Sequence, residues 1–173
     1  MPVKPKILIK QEDIYDAVER IAGEIRRDYR GKNPLLIGIL KGSFIFMADL
    51  VRRINIKLEV GFIRLYSYGS GTESSGSIKV KTKLADKVRG RHVIIVEDII
   101  DSGLTVNFLT EFLKKKGART VRLCALTEKR HRRKIDVDID YLGFEVPDKF
   151  IVGYGIDWDE KYRYLPNICY IED

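Results

Sequence analysis

The stretch Val93-Ile94-Ile95-Val96-Glu97-Asp98-Ile99-Ile100-Asp101-Ser102-Gly103-Leu104-Thr105 holds more candidate chemistry than any other part of the chain. Two adjacent carboxylates, Glu97 and Asp98, stand at the end of a wholly apolar run of strand length. Carboxylates in such a place cost stability unless they bind something. They suit two tasks: orienting sugar hydroxyls, or holding a hydrated divalent cation, because magnesium takes a carboxylate or two and completes its shell with waters and substrate oxygens. Asp101, Ser102, Gly103 and Thr105 then open a helix. That brings free backbone N–H groups, hydroxyls and the positive end of a helix dipole to one point, which makes a phosphate cradle. An isolated Asp-Ser-Gly reads more simply as a helix cap, but a cap leaves Glu97 and Asp98 without a purpose.

The surrounding elements say how these residues are presented. Ile14, Ala17, Val18, Ile21, Ala22 and Ile25 follow the spacing of an amphipathic helix, punctuated by Gly31 and Pro34. Leu35 to Leu40 is a continuous apolar run that passes through Lys41-Gly42-Ser43 into a second helical pattern on Phe44, Met47, Ala48, Val51 and Ile54. A strand is expected over residues 58–65, a buried strand over 93–96, and a helix carrying Val106, Leu109, Phe112 and Leu113. Lys114-Lys115-Lys116-Gly117 closes that helix with suitable stop chemistry. Further strands are expected over 121–126, 137–142 and 150–154. Between the strand at 58–65 and the one at 93–96, residues 67–77 are dominated by glycine and serine and read as a long loop. Alternating strands and helices define an α/β chain with a mostly parallel sheet.

With 173 residues, 45% of them hydrophobic, the chain can bury one core. No stretch approaches the roughly 18 apolar residues of a membrane span, and the N-terminus lacks a secretory pattern, so the expected location is cytoplasmic with no membrane partner. The cysteines Cys124 and Cys169 lie far apart with no CxxC pair, and neither is assigned chemistry. A net charge of +7 suits nucleic acid or a small polyphosphorylated substrate, and charge alone does not choose. The basic run from Lys129 to Lys134 reads as a solvated surface turn in all but its first residue.

The central segment resembles the phosphoribosyl pyrophosphate motif of type I phosphoribosyltransferases, in which an apolar strand leads through Glu-Asp and two aliphatics to Asp, Ser or Thr, Gly and Thr. The resemblance extends over nearly the whole chain to the hypoxanthine–guanine branch. Leu40-Lys41-Gly42-Ser43 is similar to its pyrophosphate loop, and Ser67-Tyr68-Gly69 to the start of its closing loop. Val146 through Tyr154 and Asp157 through Arg163 are similar to its purine pocket.

The resemblance implies a type I phosphoribosyltransferase fold over residues 1–173, a mostly parallel twisted sheet flanked by helices with a small hood from about 1–12 and 147–173. It implies transfer of the 5-phosphoribosyl group of phosphoribosyl pyrophosphate to N9 of hypoxanthine or guanine. Asp101 is then the general base, and Glu97, Asp98 and Asp157 are magnesium ligands that also face substrate. Lys41, Gly42 and Arg163 hold pyrophosphate, with Lys41 following a peptide that is often cis in the family. Ser102, Gly103, Leu104 and Thr105 hold phosphate, Leu104 through its backbone because it stands where some members carry lysine. Lys129 donates to the purine 6-oxygen, Phe150 stacks on the ring, and Lys149 and Ile151 complete the pocket. Ser67 and Tyr68 begin a lid over the reacting sugar. The implied partners are small molecules and further copies of the chain, as a homodimer or homotetramer. A nucleic-acid-binding regulator on this fold would show a broad basic face, whereas the sequence shows one compact basic run and keeps every position of the motif.

Overall fold

The computed structural model describes residues 4–67, 78–80 and 85–172. The expected closing loop from Tyr68 to Ser77 lies outside them. The chain runs through β1 (Lys6–Ile9), α1 (Gln11–Tyr29), β2 (Leu35–Leu40), α2 (Phe44–Ile54), β3 (Glu59–Ser67), β4 (Ile78–Val80) and α3 (Ala85–Val88). It continues with β5 (His92–Ile100), α4 (Leu104–Lys115), β6 (Thr120–Glu128), β7 (Tyr141–Glu145), β8 (Phe150–Val152) and β9 (Ile168–Ile171). The larger sheet has the order β4-β3-β2-β5-β6-β7, parallel throughout except for β4. A second, three-stranded antiparallel sheet in the order β1-β9-β8 joins the two ends of the chain.

Both faces of the large sheet are covered, which explains why β2 and β5 are apolar without alternation. Leu36, Ile94, Val96, Cys124 and Leu126 face α1 and α2, and this core continues to Ile151, Tyr154 and Ile168 around the small sheet. Leu35, Ile37, Ile39, Val93 and Ile95 face the other way, onto Val106, Leu109 and Leu113 of α4. Both cysteines are buried free thiols, and burial pushes the Cys124 thiol far above its usual range. Among the described residues no helix is long and apolar enough to cross a membrane.

Three local expectations are corrected. The buried face of α2 is Phe46, Met47, Leu50 and Ile54, whereas Phe44 and Ala48 are exposed. The opening Phe44-Ile45-Phe46-Met47 is apolar all round, so spacing there does not select a face. The strand expected over 137–142 is β7 at Tyr141–Glu145. Residues 136–140 alternate because Val137 and Ile139 lean on the core, while Asp140 accepts the Leu123 N–H at 2.8 Å and the segment forms no ladder. Finally, β5 does not stop at Val96 but runs to Ile100, so the paired carboxylates lie inside the strand.

Sheet order creates the crevice. From β2 the chain steps outward to β3 on one side and later returns to β5 on the other, so the direction of winding reverses between β2 and β5. Ligands bind beyond the carboxyl ends of strands at such a point. Pairing of β2 with β5 ends at Gly38 and Val96, after which β5 continues against β6 alone.

Candidate active site

Glu97 and Asp98 therefore sit where β5 has parted from β2, and both are buried. Successive strand side chains point to opposite faces, and the two carboxylates accordingly line separate clefts. Burial, then the Asp98 charge beside it, pushes the Glu97 carboxyl well above the usual range. The Asp98 backbone carbonyl takes the Thr127 hydroxyl at 2.8 Å, and the Asp98 carboxylate lies so close to Gly42 that any Cβ there would collide with it.

The Glu97 cleft, about 140 Å³, is lined by Ile99, Ile100, Asp101, Ser102, Gly103, Thr105 and Val106. The cap reading of Asp101 and Ser102 does not fit its geometry. Gly103, which has no side chain, occupies the cap position at φ 81°. The Leu104 N–H donates to Ser102 Oγ at a long 3.4 Å, and no bond from Asp101 to α4 occurs among the described residues. The first helical bond to this turn is Asn107 N–H to Gly103 O at 3.0 Å, so among the described residues the amides of Leu104, Thr105 and Val106 find no backbone carbonyl. The apolar Leu104 side chain is 42% exposed, which leaves only its backbone to face the cleft.

The Asp98 cleft, about 430 Å³, is lined by Leu40, Lys41, Gly42, Arg64, Leu65, Asp157, Glu160 and Arg163. The Leu40–Lys41 peptide is cis. Arg163 donates to Gly155 O at 2.7 Å and pairs with Asp157 Oδ1 at 2.9 Å, while its buried Nε has no partner among the described residues. Glu160, which the sequence reading passed over, accepts from Lys41 Nζ at 2.6 Å and from Arg163 at 3.2 Å. Those two cations hold its carboxyl below the usual range.

Other expected site residues gather around these clefts unevenly. Lys129, just past β6, is only 6% exposed, and its ammonium finds no hydrogen bond among the described residues. Its backbone N–H donates to Ile100 O at 2.9 Å, beside Asp101. Phe150 opens β8 with 49% of its surface exposed and meets Trp158 edge-on at 6.0 Å. Ile151 is buried, and β8 is an edge strand of the small sheet, with one side of its backbone outside the ladder. Lys149 is turned away, its ammonium 3.8 Å from the Tyr170 ring centre. Ser67 ends β3, and Tyr68 lies outside the described residues.

The solvated reading of the basic run holds for Arg130, His131, Arg132 and Lys134, which are exposed, and is corrected at Arg133. Arg133 forms a buried ion pair with Glu128 at 2.6 Å, and Arg132 pairs with Asp101 at 3.1 Å and Asp148 at 3.4 Å. Glu128 directly precedes the run, whereas Asp101 and Asp148 lie far from Arg132 along the chain, so local sequence gives no sign of those two.

Among the described residues no group of three His, Cys, Asp or Glu side chains is gathered tightly enough to form a complete metal cage. Asp98 and Asp157 share one cleft and Glu97 faces the next. This sparse, oxygen-only donor set suits a hard cation that keeps substrate and water ligands.

A doubly wound sheet with a turn of unpaired helix amides and a cation-lined cleft at its switch point has the architecture of a nucleotide-handling α/β protein. The phosphoribosyl transferase domain model matches residues 7–159, and the chain belongs to that family. It is 44% identical to the hypoxanthine-guanine phosphoribosyltransferase of Aquifex aeolicus over 98% of this chain and 96% of that one. It is 45% identical to the Bacillus subtilis enzyme of the same name over 94% and 91%. A crystal structure of a hypoxanthine-guanine phosphoribosyltransferase from Bacillus anthracis superposes with a TM-score of 0.91 at 43% identity, covering 98% and 99% of the two chains.

Proposed function

We propose that the protein is a purine-salvage enzyme that transfers the 5-phosphoribosyl group from phosphoribosyl pyrophosphate to N9 of hypoxanthine or guanine, giving IMP or GMP and pyrophosphate. The observation that carries this reading is the pair of clefts on either side of Glu97-Asp98. One offers free helix amides to a monophosphate. The other offers Lys41, the Gly42 backbone and Arg163 to a pyrophosphate. A ribose spanning the two clefts lies over the paired carboxylates.

In the reaction the purine N9 attacks C1′ and the C1′–O bond to pyrophosphate breaks, through a transition state with positive charge on the ribose. Asp101 takes the proton leaving the purine imidazole. Lys41 and Arg163 stabilise the departing pyrophosphate. Glu97 and Asp98 orient the ribose hydroxyls. Phe150 stacks on the purine, the edge of β8 at Ile151 reads the ring edge, and Lys129 donates to the 6-oxygen. Lys149 takes part after leaving Tyr170. Ser67 and Tyr68 start the segment that covers the sugar.

Asp98 and Asp157, with Glu97 beside them, would hold magnesium, which would supply Lewis-acid neutralisation of the leaving group. Its charge would also offset the repulsion between the adjacent buried carboxylates.

The same reading makes residues 1–173 one domain, with a hood from about 1–12 and 147–173, working in the cytoplasm on small molecules rather than nucleic acid or membrane. The pairing of Arg132 and Arg133 with carboxylates supports this choice of partner, because it consumes the charge a nucleic-acid surface would need. A homodimer or homotetramer is supported by Val60 and Phe62, two exposed apolar positions on one face of β3, and by exposed Phe44. The test is formation of IMP and pyrophosphate from phosphoribosyl pyrophosphate and hypoxanthine, abolished by chelator and restored by magnesium. Absence of IMP at saturating substrates and magnesium overturns the reading.

A further inference from the structure

The geometry points to Arg132 as the positioning residue for Asp101: its guanidinium fixes one carboxylate oxygen of the proposed base and ties that base to the turn carrying the purine wall. The inference rests on the functional reading above and adds a residue to it.

Arg132 Nε lies 3.1 Å from Asp101 Oδ1, and its Nη1 lies 3.4 Å from Asp148 Oδ1. Asp148 immediately precedes Lys149 and Phe150. Both side chains of the first pair are about half exposed, and an isolated surface pair of that kind contributes roughly 0–1 kcal/mol. The backbone makes this pair different. The turn from Lys129 to Ile135 is stitched to the Asp101 loop on both flanks: Lys129 N–H donates to Ile100 O at 2.9 Å, and Lys134 and Ile135 N–H donate to Ser102 O at 2.9 and 3.2 Å. Inside the turn Arg132 N–H donates to Lys129 O at 3.0 Å.

The following residue anchors the turn from below, because Arg133 pairs with buried Glu128 and donates to Val137 O at 3.2 Å. Arg132 is thus held opposite Asp101 by main-chain bonds that do not depend on the ion pair. With Oδ1 engaged, rotation of the carboxylate is restrained and its second oxygen remains to accept the proton. A guanidinium can hold two carboxylates in one plane, which an ammonium cannot.

The test is a double-mutant cycle. Arg132→Ala is expected to lower kcat roughly tenfold, between the few-fold worth of an exposed pair and the ~100-fold cost of misplacing a catalytic group. KM for phosphoribosyl pyrophosphate should stay within about twofold, as expected when only a transition-state interaction is lost. Arg132→Lys should recover part of the loss. Arg130→Ala, which removes an exposed charge from the same turn, should match wild type. In an Asp101→Asn background, Arg132→Ala should cause no further loss. An equal loss in both backgrounds, a loss seen wholly in KM, or the same loss in Arg130→Ala overturns the inference. Near-normal turnover of Asp101→Asn alone would instead remove the underlying reading, so the two failures are distinguishable. Melting temperatures of all variants identify any that lose activity by unfolding, and Arg132→Lys then carries the test.

Discussion

Asp101 is the proposed general base, and its structural surroundings make its prediction sharper. Because Gly103 holds the cap position and Asp101 makes no bond to α4 among the described residues, replacing Asp101 by Asn removes a base without removing a cap. Turnover of Asp101→Asn should fall by roughly 10²–10⁴-fold while phosphoribosyl pyrophosphate still binds, as measured by steady-state rate and by calorimetry. Lys129 belongs at the same scale. A nearly buried ammonium with no partner among the described residues is a donor waiting for an acceptor. Lys129→Ala should lower kcat/KM for hypoxanthine and guanine by about ten- to two-hundred-fold, the worth of a hydrogen bond to a charged group. A loss no larger than that of Arg130→Ala would return Lys129 to a surface role. Asp101 stood out in the sequence because a motif surrounds it, and Lys129 only through the family resemblance. Arg132 and Glu160 did not, because their significance lies in partners 31 and 119 residues away, Asp101 and Lys41.

Elements explain which expectations survived. β2 and α4 read correctly because an unbroken apolar run and a lysine-glycine stop each admit one interpretation. α2 misled on its face because its first turn is apolar all round, and residues 137–140 imitated a strand because one-sided burial produces alternation without pairing. β9, four residues long, is too short for periodicity to declare it. The turn between β5 and α4 gives an element-scale prediction. Gly103 has φ 81°, and a Cβ there would stand 2.7 Å from Ile135 O. Gly103→Ala should therefore cost about 1–3 kcal/mol of stability and push the basic turn from the Asp101 loop, seen as a lower melting temperature together with lost turnover.

The buried end of β5 gives another. The folded-state pKa of Glu97 is raised, so the folded chain keeps a proton that the unfolded chain releases, and stability falls as pH rises above the usual carboxylate range. Glu97→Gln removes that dependence. In metal-free, ligand-free protein the variant should lose less stability than wild type between about pH 5 and pH 8, while binding phosphoribosyl pyrophosphate more weakly. Parallel stability curves for the two proteins would contradict the account of Glu97.

At the scale of the whole molecule, two sheets divide the work. In the proposed reaction the carboxyl ends of β2 and β5 in the large sheet would handle phosphate, ribose and pyrophosphate, and β8 of the small sheet would supply the aromatic and the backbone edge for the base. The central claim is that these combine to transfer a phosphoribosyl group to 6-oxopurines in particular. The most direct measurement is a turnover panel with magnesium and phosphoribosyl pyrophosphate against hypoxanthine, guanine, xanthine, adenine and uracil. The account predicts efficient turnover of hypoxanthine or guanine, almost none of adenine, because the Lys129 ammonium can donate to a 6-carbonyl and has no acceptor for a 6-amino group, and almost none of uracil, which lacks the imidazole ring whose proton Asp101 would take. Efficient use of adenine or uracil, or no turnover of any base, would contradict it.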